Sequence, residues 1–145
     1  SIKHAYQVNL NWEEGRKGLL QSPDLNTNIE VVTPPEFAKG IAGIWSPEHL
    51  FIASVSSCFM TTFLAIAEYS KFEFKHLKIS ANGILEKVDE KFMISEITLK
   101  VILTIEDISE REKAFLKASL ESSKANTSEI YSFYTTGLFH SHYMH

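Results

Sequence analysis

The longest apolar segment of the chain predicts a central helix from Ser46 to about Tyr69. Ser46 suits the N-cap, Pro47 the first helical position and Glu48 the first turn, where the helix dipole favours a negative charge. No Asp, Glu, Lys or Arg occurs between Glu48 and Glu68, and apolar residues cover the whole circumference. We therefore expect a helix that is buried on nearly all sides.

The same segment lies near the lower length limit for a helix that crosses a bilayer. Five hydroxyl side chains interrupt it, namely Ser54, Ser56, Ser57, Thr61 and Thr62. No cluster of Lys or Arg marks either end, and a single span would leave the neighbouring strand patterns with nothing to pack against. We interpret the segment as the core helix of a soluble protein that has no membrane partner.

Alternating apolar and polar positions predict three short strands before this helix, at 5–12, 19–22 and 29–33. The sequence EEGRKG between the first two predicts a tight turn, because Gly15 and Gly18 permit positive φ. Short strands joined by tight turns favour an antiparallel meander.

Two further strand patterns follow the helix. Positions 77–85 alternate, and Gly83 is the candidate for marking a bulge before Leu85. Positions 93–105 place apolar side chains on one face and polar side chains on the other, which predicts a strand with one face in the core.

The end of the chain predicts a second helix and a short strand. Ser109 and Glu112 form a capping-box pattern, so we expect a helix from there to about Lys124. A further helical turn is predicted at 127–132, and an aromatic strand at 136–144.

His140 and His142 lie two positions apart near the end of the chain, on one face of the predicted strand. Such a pair can bind zinc or copper. The alternative is an exposed strand end with incidental histidines, which we favour because no cysteine or aspartate completes a ligand set beside them. We therefore expect no metal site.

Composition limits the class of protein. The 145 residues suit one domain spanning 1–145, and 44% hydrophobic with 22% charged residues is ordinary for a globular protein. A net charge of −4 argues against nucleic acid as a partner. A single cysteine excludes an intramolecular disulfide and suits a reducing compartment. Because the N-terminal residues contain no apolar signal region, we expect a cytoplasmic protein.

The single cysteine, Cys58, lies in the middle of the predicted helix. Buried cysteines usually act as small apolar residues. Six residues share the helix face of Cys58: Phe51, Ser54, Val55, Thr61, Thr62 and Ala65. Apolar surroundings disfavour a thiolate, so a reactive Cys58 needs a cation from elsewhere in the chain.

Arg16, in the EEGRKG turn, is a candidate for that cation, and Glu48 could hold its guanidinium in a bidentate pair. Two simpler readings remain open. Arg16 taken alone is a solvated turn charge, and Glu48 taken alone is a partner of the helix dipole.

The segment SPEHLFIASVSSCF resembles the motif of the OsmC/Ohr proteins, the osmotically inducible and organic hydroperoxide resistance proteins. The Gly-Arg-x-Gly turn at Gly15 to Gly18, the Thr33-Pro34 strand end and the glycine-containing loop before the helix add to the resemblance. It implies an α+β fold, OsmC-like, with antiparallel sheets around a long buried central helix. It also implies an intertwined homodimer with active sites near the dimer interface.

The resemblance also implies a chemistry. Cys58 matches the peroxidatic cysteine, Arg16 the arginine that stabilises the thiolate, and Glu48 the glutamate that orients that arginine. The implied reaction is reduction of an organic hydroperoxide, which leaves a sulfenic acid on the cysteine and requires no cofactor or metal. Apolar walls favour alkyl or lipid hydroperoxides over hydrogen peroxide.

The chain departs from the family pattern in one respect. The family's enzymes carry a second cysteine after the last long helix, which resolves the sulfenic acid as a disulfide. The corresponding segment here, ESSKANTSEIYS, has none. We therefore expect an external thiol or dithiol reductant. The alternative is a non-catalytic OsmC-like dimer that binds a small ligand or acts as a thiol sensor.

Overall fold

The computed structural model describes residues 2–105 together with Ala114 and Ala118. Its elements are β1 (Asn9–Glu14), β2 (Lys17–Gln21), β3 (Ile29–Val32), α1 (Pro47–Tyr69), β4 (His76–Val88) and β5 (Lys91–Thr104). The chain divides into two compact units that meet in sequence between Leu50 and Phe51. Of the helix predicted from Ser109, only Ala114 and Ala118 are described, and both are helical. The predicted elements after 124 lie outside the described residues.

The first unit contains a three-stranded antiparallel sheet in the order β1-β2-β3, which confirms the predicted meander. The first pair begins where Asn9 lies opposite Gln21, so the residues before Asn9 have no partner position on β2. This is why β1 starts later than the alternation predicts. The turn between β1 and β2 has Gly15 at φ 50°, and the Trp12 indole donates to the Gly15 carbonyl at 2.9 Å.

One face of the N-terminal segment is apolar and open to solvent. Tyr6, Val8, Leu10 and Trp12 alternate with polar residues and are 89%, 66%, 62% and 75% exposed. Side chains of this size are normally covered in a folded protein. The first unit therefore leaves an apolar surface along β1 that its own residues do not bury.

Helix α1 begins and ends within one residue of its predicted bounds. Its buried apolar residues recur every fourth position and form a single stripe: Phe51, Val55, Phe59, Phe63 and Ala67. Away from this stripe, Met60 is 40% and Leu64 is 38% exposed. Helix α1 is therefore not buried on nearly all sides within one chain. Apolar residues surround the helix, but only one side of it packs against the rest of the chain. By length and composition α1 also meets the criterion for a membrane span, as core helices of soluble proteins do.

The second unit pairs β4 with β5 in a long antiparallel hairpin. Its turn is formed by Asp89 and Glu90, both with positive φ, as two-residue hairpin turns require. Along β5 the odd positions from 97 to 105 are half-buried and the even positions from 96 to 104 are exposed, which confirms the predicted alternation.

Helix α1 packs on this hairpin through two apolar clusters. In the first, Phe51 and Ile94 contact Ile52, Leu85 and Ile97. In the second, Phe63, Ala67 and Phe72 contact Phe74, Leu77, Leu103 and Ile105. Burying a side chain of this kind stabilises the fold by about 1.5–3 kcal/mol. In its described residues, the second unit is therefore a helix packed on a two-stranded sheet.

The bulge predicted before Leu85 is confirmed, because the register shifts between Ile84 and Leu85, where β5 carries the extra residue Ser95. Gly83 itself pairs regularly with Ile97, and its role lies in packing. A Cβ on Gly83 would lie 2.7 Å from Ile52 Cγ1, which is closer than carbon atoms normally approach. The absence of a side chain at Gly83 therefore lets α1 approach β4.

Because Ile52 lies so close to Gly83, a side chain at position 83 should destabilise the fold. Gly83→Val should lower the free energy of unfolding by about 1–3 kcal/mol, because the new side chain overpacks against Ile52. Urea unfolding followed by circular dichroism measures this change. Ile52→Val, which removes the nearest methyl group, should recover part of the loss in the double variant. The exposed neighbour Asn82→Ala, as control, should change stability by less than about 0.5 kcal/mol. Additive effects of the two substitutions would contradict the contact.

Candidate functional site

The site begins at the N-terminus of α1, where Ser46 and His49 form reciprocal hydrogen bonds. The His49 N–H donates to Ser46 Oγ at 3.3 Å, and the Ser46 N–H donates to His49 Nδ1 at 3.3 Å. Ser46 Oγ and His49 Nδ1 also lie 2.6 Å apart, within hydrogen-bond distance, and the tautomer of the ring sets which of the two donates. Two backbone N–H groups that the helix cannot satisfy are thus paired.

This arrangement is a capping box in which histidine takes the place of the usual glutamate or glutamine. The sequence predicted Ser46 as N-cap but missed His49. The signal was present, since a capping residue and a side-chain acceptor lie three positions apart in Ser-Pro-Glu-His. Ser46 is completely buried and Glu48 is 8% exposed, whereas Trp45 and His49 are exposed, so the start of the helix is covered on one side only.

Glu48 and Arg16 both lie in the first unit. Arg16 is exposed in the turn between β1 and β2, and its carbonyl accepts the Thr33 N–H at 3.2 Å, which ties the turn to the residue after β3. Glu48 is buried in the first turn of α1. The ion pair between their side chains remains a prediction.

Cys58 lies in the second unit, at the middle of α1, and is half-buried. On one flank of its helix face lie Val55 and Phe59, which are 1% and 3% exposed. On the other flank lie Ser57 and Thr61, both exposed. The sulfur therefore sits at the border between the buried stripe and the open side of the helix, rather than deep in the core as the apolar circumference suggested. The approach of Arg16 to Cys58 also remains a prediction.

The hydroxyl groups near Cys58 are mostly bonded to the helix itself. Ser54 donates to the Phe51 carbonyl at 2.6 Å, Ser56 and Ser57 to the Ala53 carbonyl at 3.0 and 2.6 Å, and Thr61 to the Cys58 carbonyl at 3.2 Å. A hydroxyl has one proton to donate, so these four groups cannot also donate to the sulfur. A thiolate at this position therefore needs a donor or a cation from outside this set.

Within residues 2–105, Ala114 and Ala118, no group of three or more His, Cys, Asp or Glu side chains could hold a metal ion. His140 and His142 lie outside these residues. Across the described part of the chain, the chemistry of the candidate site therefore rests on the thiol of Cys58.

The central part of the chain matches a known family. The family of OsmC-like proteins matches residues 40–127, more than half of the 145 residues. The chain belongs to the OsmC-like family. The matched region includes Glu48 and Cys58 and begins after the turn that carries Arg16.

Solved structures of OsmC-like proteins share this fold. An OsmC-like protein of unknown function from Vibrio cholerae aligns with a TM-score of 0.72 at 18% identity, covering 86% of this chain and 90% of that one. An organic hydroperoxide resistance protein OsmC from Legionella pneumophila aligns with a TM-score of 0.61 at 21% identity, covering 90% and 91%.

The organic hydroperoxide resistance protein OhrB of Bacillus subtilis aligns with a TM-score of 0.52 at 23% identity, covering 83% of this chain and 90% of that one. A comparison with curated proteins found no match. At these identities the solved structures establish the OsmC-like fold.

The capping box predicts a measurable contribution to stability. Ser46→Ala should lower the free energy of unfolding by about 1 kcal/mol, because the N–H of His49 loses its side-chain acceptor. His49→Gln should keep most of the stability, since glutamine can accept the same backbone N–H, whereas His49→Ala should not. Thermal unfolding of the three variants separates these outcomes. Equal loss in His49→Gln and His49→Ala would show that the reciprocal bond contributes nothing.

Proposed function

We propose that this OsmC-like protein reduces organic hydroperoxides through Cys58. The observation that carries the proposal is the position of the single cysteine within the OsmC-like region. It is half-buried on the central helix, with solvent on one flank and the apolar side chains of Val55 and Phe59 on the other. The exposed flank lets a peroxide reach the sulfur, while the buried flank makes part of its surroundings apolar.

In the proposed reaction, the Cys58 thiolate attacks the distal oxygen of the hydroperoxide. An S–O bond forms, the O–O bond breaks, and the leaving alkoxide takes a proton to become an alcohol. The cysteine is oxidised to sulfenic acid while the peroxide is reduced. Two equivalents of an external thiol, or one dithiol, then restore the Cys58 thiol and release water and a disulfide. An external reductant is required because the chain has one cysteine.

We assign Arg16 the role of stabilising the thiolate and Glu48 that of orienting the Arg16 guanidinium. The family resemblance is the source of both roles. The commitment of the neighbouring hydroxyls to backbone carbonyls supports the need for a cation, since they leave the sulfur without their protons. A thiol-reduced cycle also fits a reducing compartment, so we propose the cytoplasm as the location.

The single cysteine also supports a second candidate. Without an internal resolving thiol, a protein that is oxidised at Cys58 and reduced slowly would act as a thiol sensor. The two candidates share the first oxidation step and differ in turnover.

The main experiment measures the rate at which cumene hydroperoxide oxidises Cys58, using a sulfenic-acid trap and mass spectrometry. We expect rapid modification of the wild type, slower modification by hydrogen peroxide, and none in Cys58→Ser. Arg16→Ala should slow the reaction at least about tenfold, because a positive charge near a thiolate favours the ionised form. Arg16→Lys should fall between, since lysine keeps the charge but loses the planar fork.

Lys17 provides the matched control, because it is a cation in the next position of the same hairpin. Lys17→Ala should react within about twofold of the wild type. Slow oxidation of the wild type, unchanged in Arg16→Ala, would overturn the proposal. Fast oxidation without turnover, whatever thiol or dithiol is supplied, would favour the sensor.

We also propose that two chains form a homodimer that covers the open apolar surfaces. Two surfaces support this proposal: the face of β1 that carries Leu10 and Trp12, and the side of α1 that carries Met60 and Leu64. Both present large apolar side chains to solvent in a single chain, as dimer interfaces do before assembly. A second copy supplies the same surfaces and needs no other partner.

This dimer predicts a change of mass in solution. Leu64→Glu should shift the protein from dimer to monomer in analytical ultracentrifugation, because the interface would have to bury an unpaired carboxylate. Ile102→Glu is the control, since Ile102 is 45% exposed on the outward side of β5 and places the same charge away from α1. A wild type that sediments as a monomer, or equal dissociation of both variants, would contradict the proposal.

A further inference from the structure

Thr62 is the fifth hydroxyl near Cys58, and it differs from the other four. Within the described part of the chain its hydroxyl makes no hydrogen bond, whereas Ser54, Ser57 and Thr61 each donate to a helix carbonyl. The side chain is half-buried, so its proton is only partly available to water.

Thr62 is also placed next to the sulfur by the helix. Residues four positions apart lie one above the other, with Cβ atoms about 5–6 Å apart. Helical side chains lean towards the N-terminus, so Thr62 leans towards Cys58. On the helix, Thr62 lies on the same flank of Cys58 as the buried residues Val55 and Phe59. A hydrogen bond there would be shielded from water on that flank.

We infer that the Thr62 hydroxyl is the local hydrogen-bond donor to the Cys58 thiolate, formed by rotation of its side chain when the sulfur ionises. The inference rests on the proposed function and adds a residue to it. Arg16 supplies the charge in that proposal, whereas Thr62 supplies a directed proton from the same helix. The bond favours the ionised sulfur, because a donor to the charged form stabilises that form. No covalent bond to Thr62 is formed or broken.

The test compares Thr62→Val, which has the same shape without the hydroxyl, with Thr62→Ser, which keeps the donor. Thr62→Val should slow Cys58 oxidation by cumene hydroperoxide about tenfold, since hydrogen bonds to charged groups are the stronger class. Thr62→Ser should return the rate to within about twofold of the wild type. At neutral pH the ultraviolet absorbance of the thiolate should fall in Thr62→Val and recover in Thr62→Ser, which a purely structural role would not produce.

Thr61→Val is the matched control, because its hydroxyl bonds to the Cys58 carbonyl and not to the sulfur. It should leave both the rate and the thiolate absorbance unchanged, and circular dichroism should show that all three variants keep the helix. Equal slowing in Thr61→Val and Thr62→Val, or no slowing in Thr62→Val, would overturn the inference.

The two proposals fail in different ways. A wild type that does not react with the peroxide overturns the proposed function, and the thiolate absorbance of Thr62→Val then still decides the role of Thr62. A reactive wild type with an equally reactive Thr62→Val leaves the proposed function standing and removes Thr62 from it.

Discussion

The packing of α1 against the β4–β5 hairpin is the constraint on which the described structure of the second unit depends. A stripe of large apolar residues at every fourth position, including Phe51, Phe59 and Phe63, is the part of the helix that is buried. The approach needed for this contact is allowed by Gly83, where any side chain would meet Ile52. Because the stripe sets the rotation of the helix about its axis, it also sets which residues face the hairpin and which face away.

The environment of Cys58 follows from that rotation. The sulfur lies just off the stripe, so Val55 and Phe59 enclose one flank and exposed hydroxyl residues form the other. The hydroxyls satisfy the helix instead of the sulfur, as short polar side chains in helices commonly do. The same arrangement leaves the thiol in need of donors from elsewhere. The acceptor of each hydroxyl therefore affects both the helix and the reactivity of the Cys58 thiol.

Much of the fold could be read from local patterns. The bounds of α1 follow from Ser46, Pro47 and the long uncharged run, and the alternation along β5 follows from the period of a strand. The family motif then led to the OsmC-like fold, which the family match and the solved structures support. The bulge before Leu85 was also found, because glycine often marks one. His49 was overlooked because capping boxes usually carry glutamate or glutamine.

The sequence by itself determined the elements, their order, the single thiol and the absence of a second cysteine from the chain. These are properties of residue type and of periods within one segment. Only the tertiary structure decided that one stripe of α1 is buried within a chain, that Gly83 makes room for Ile52, and that Cys58 lies at the border of that stripe. An apolar circumference shows that a helix avoids water on all sides, but it does not say which side its own chain covers. That is settled by the neighbouring strands and by the shape of the surface that they present.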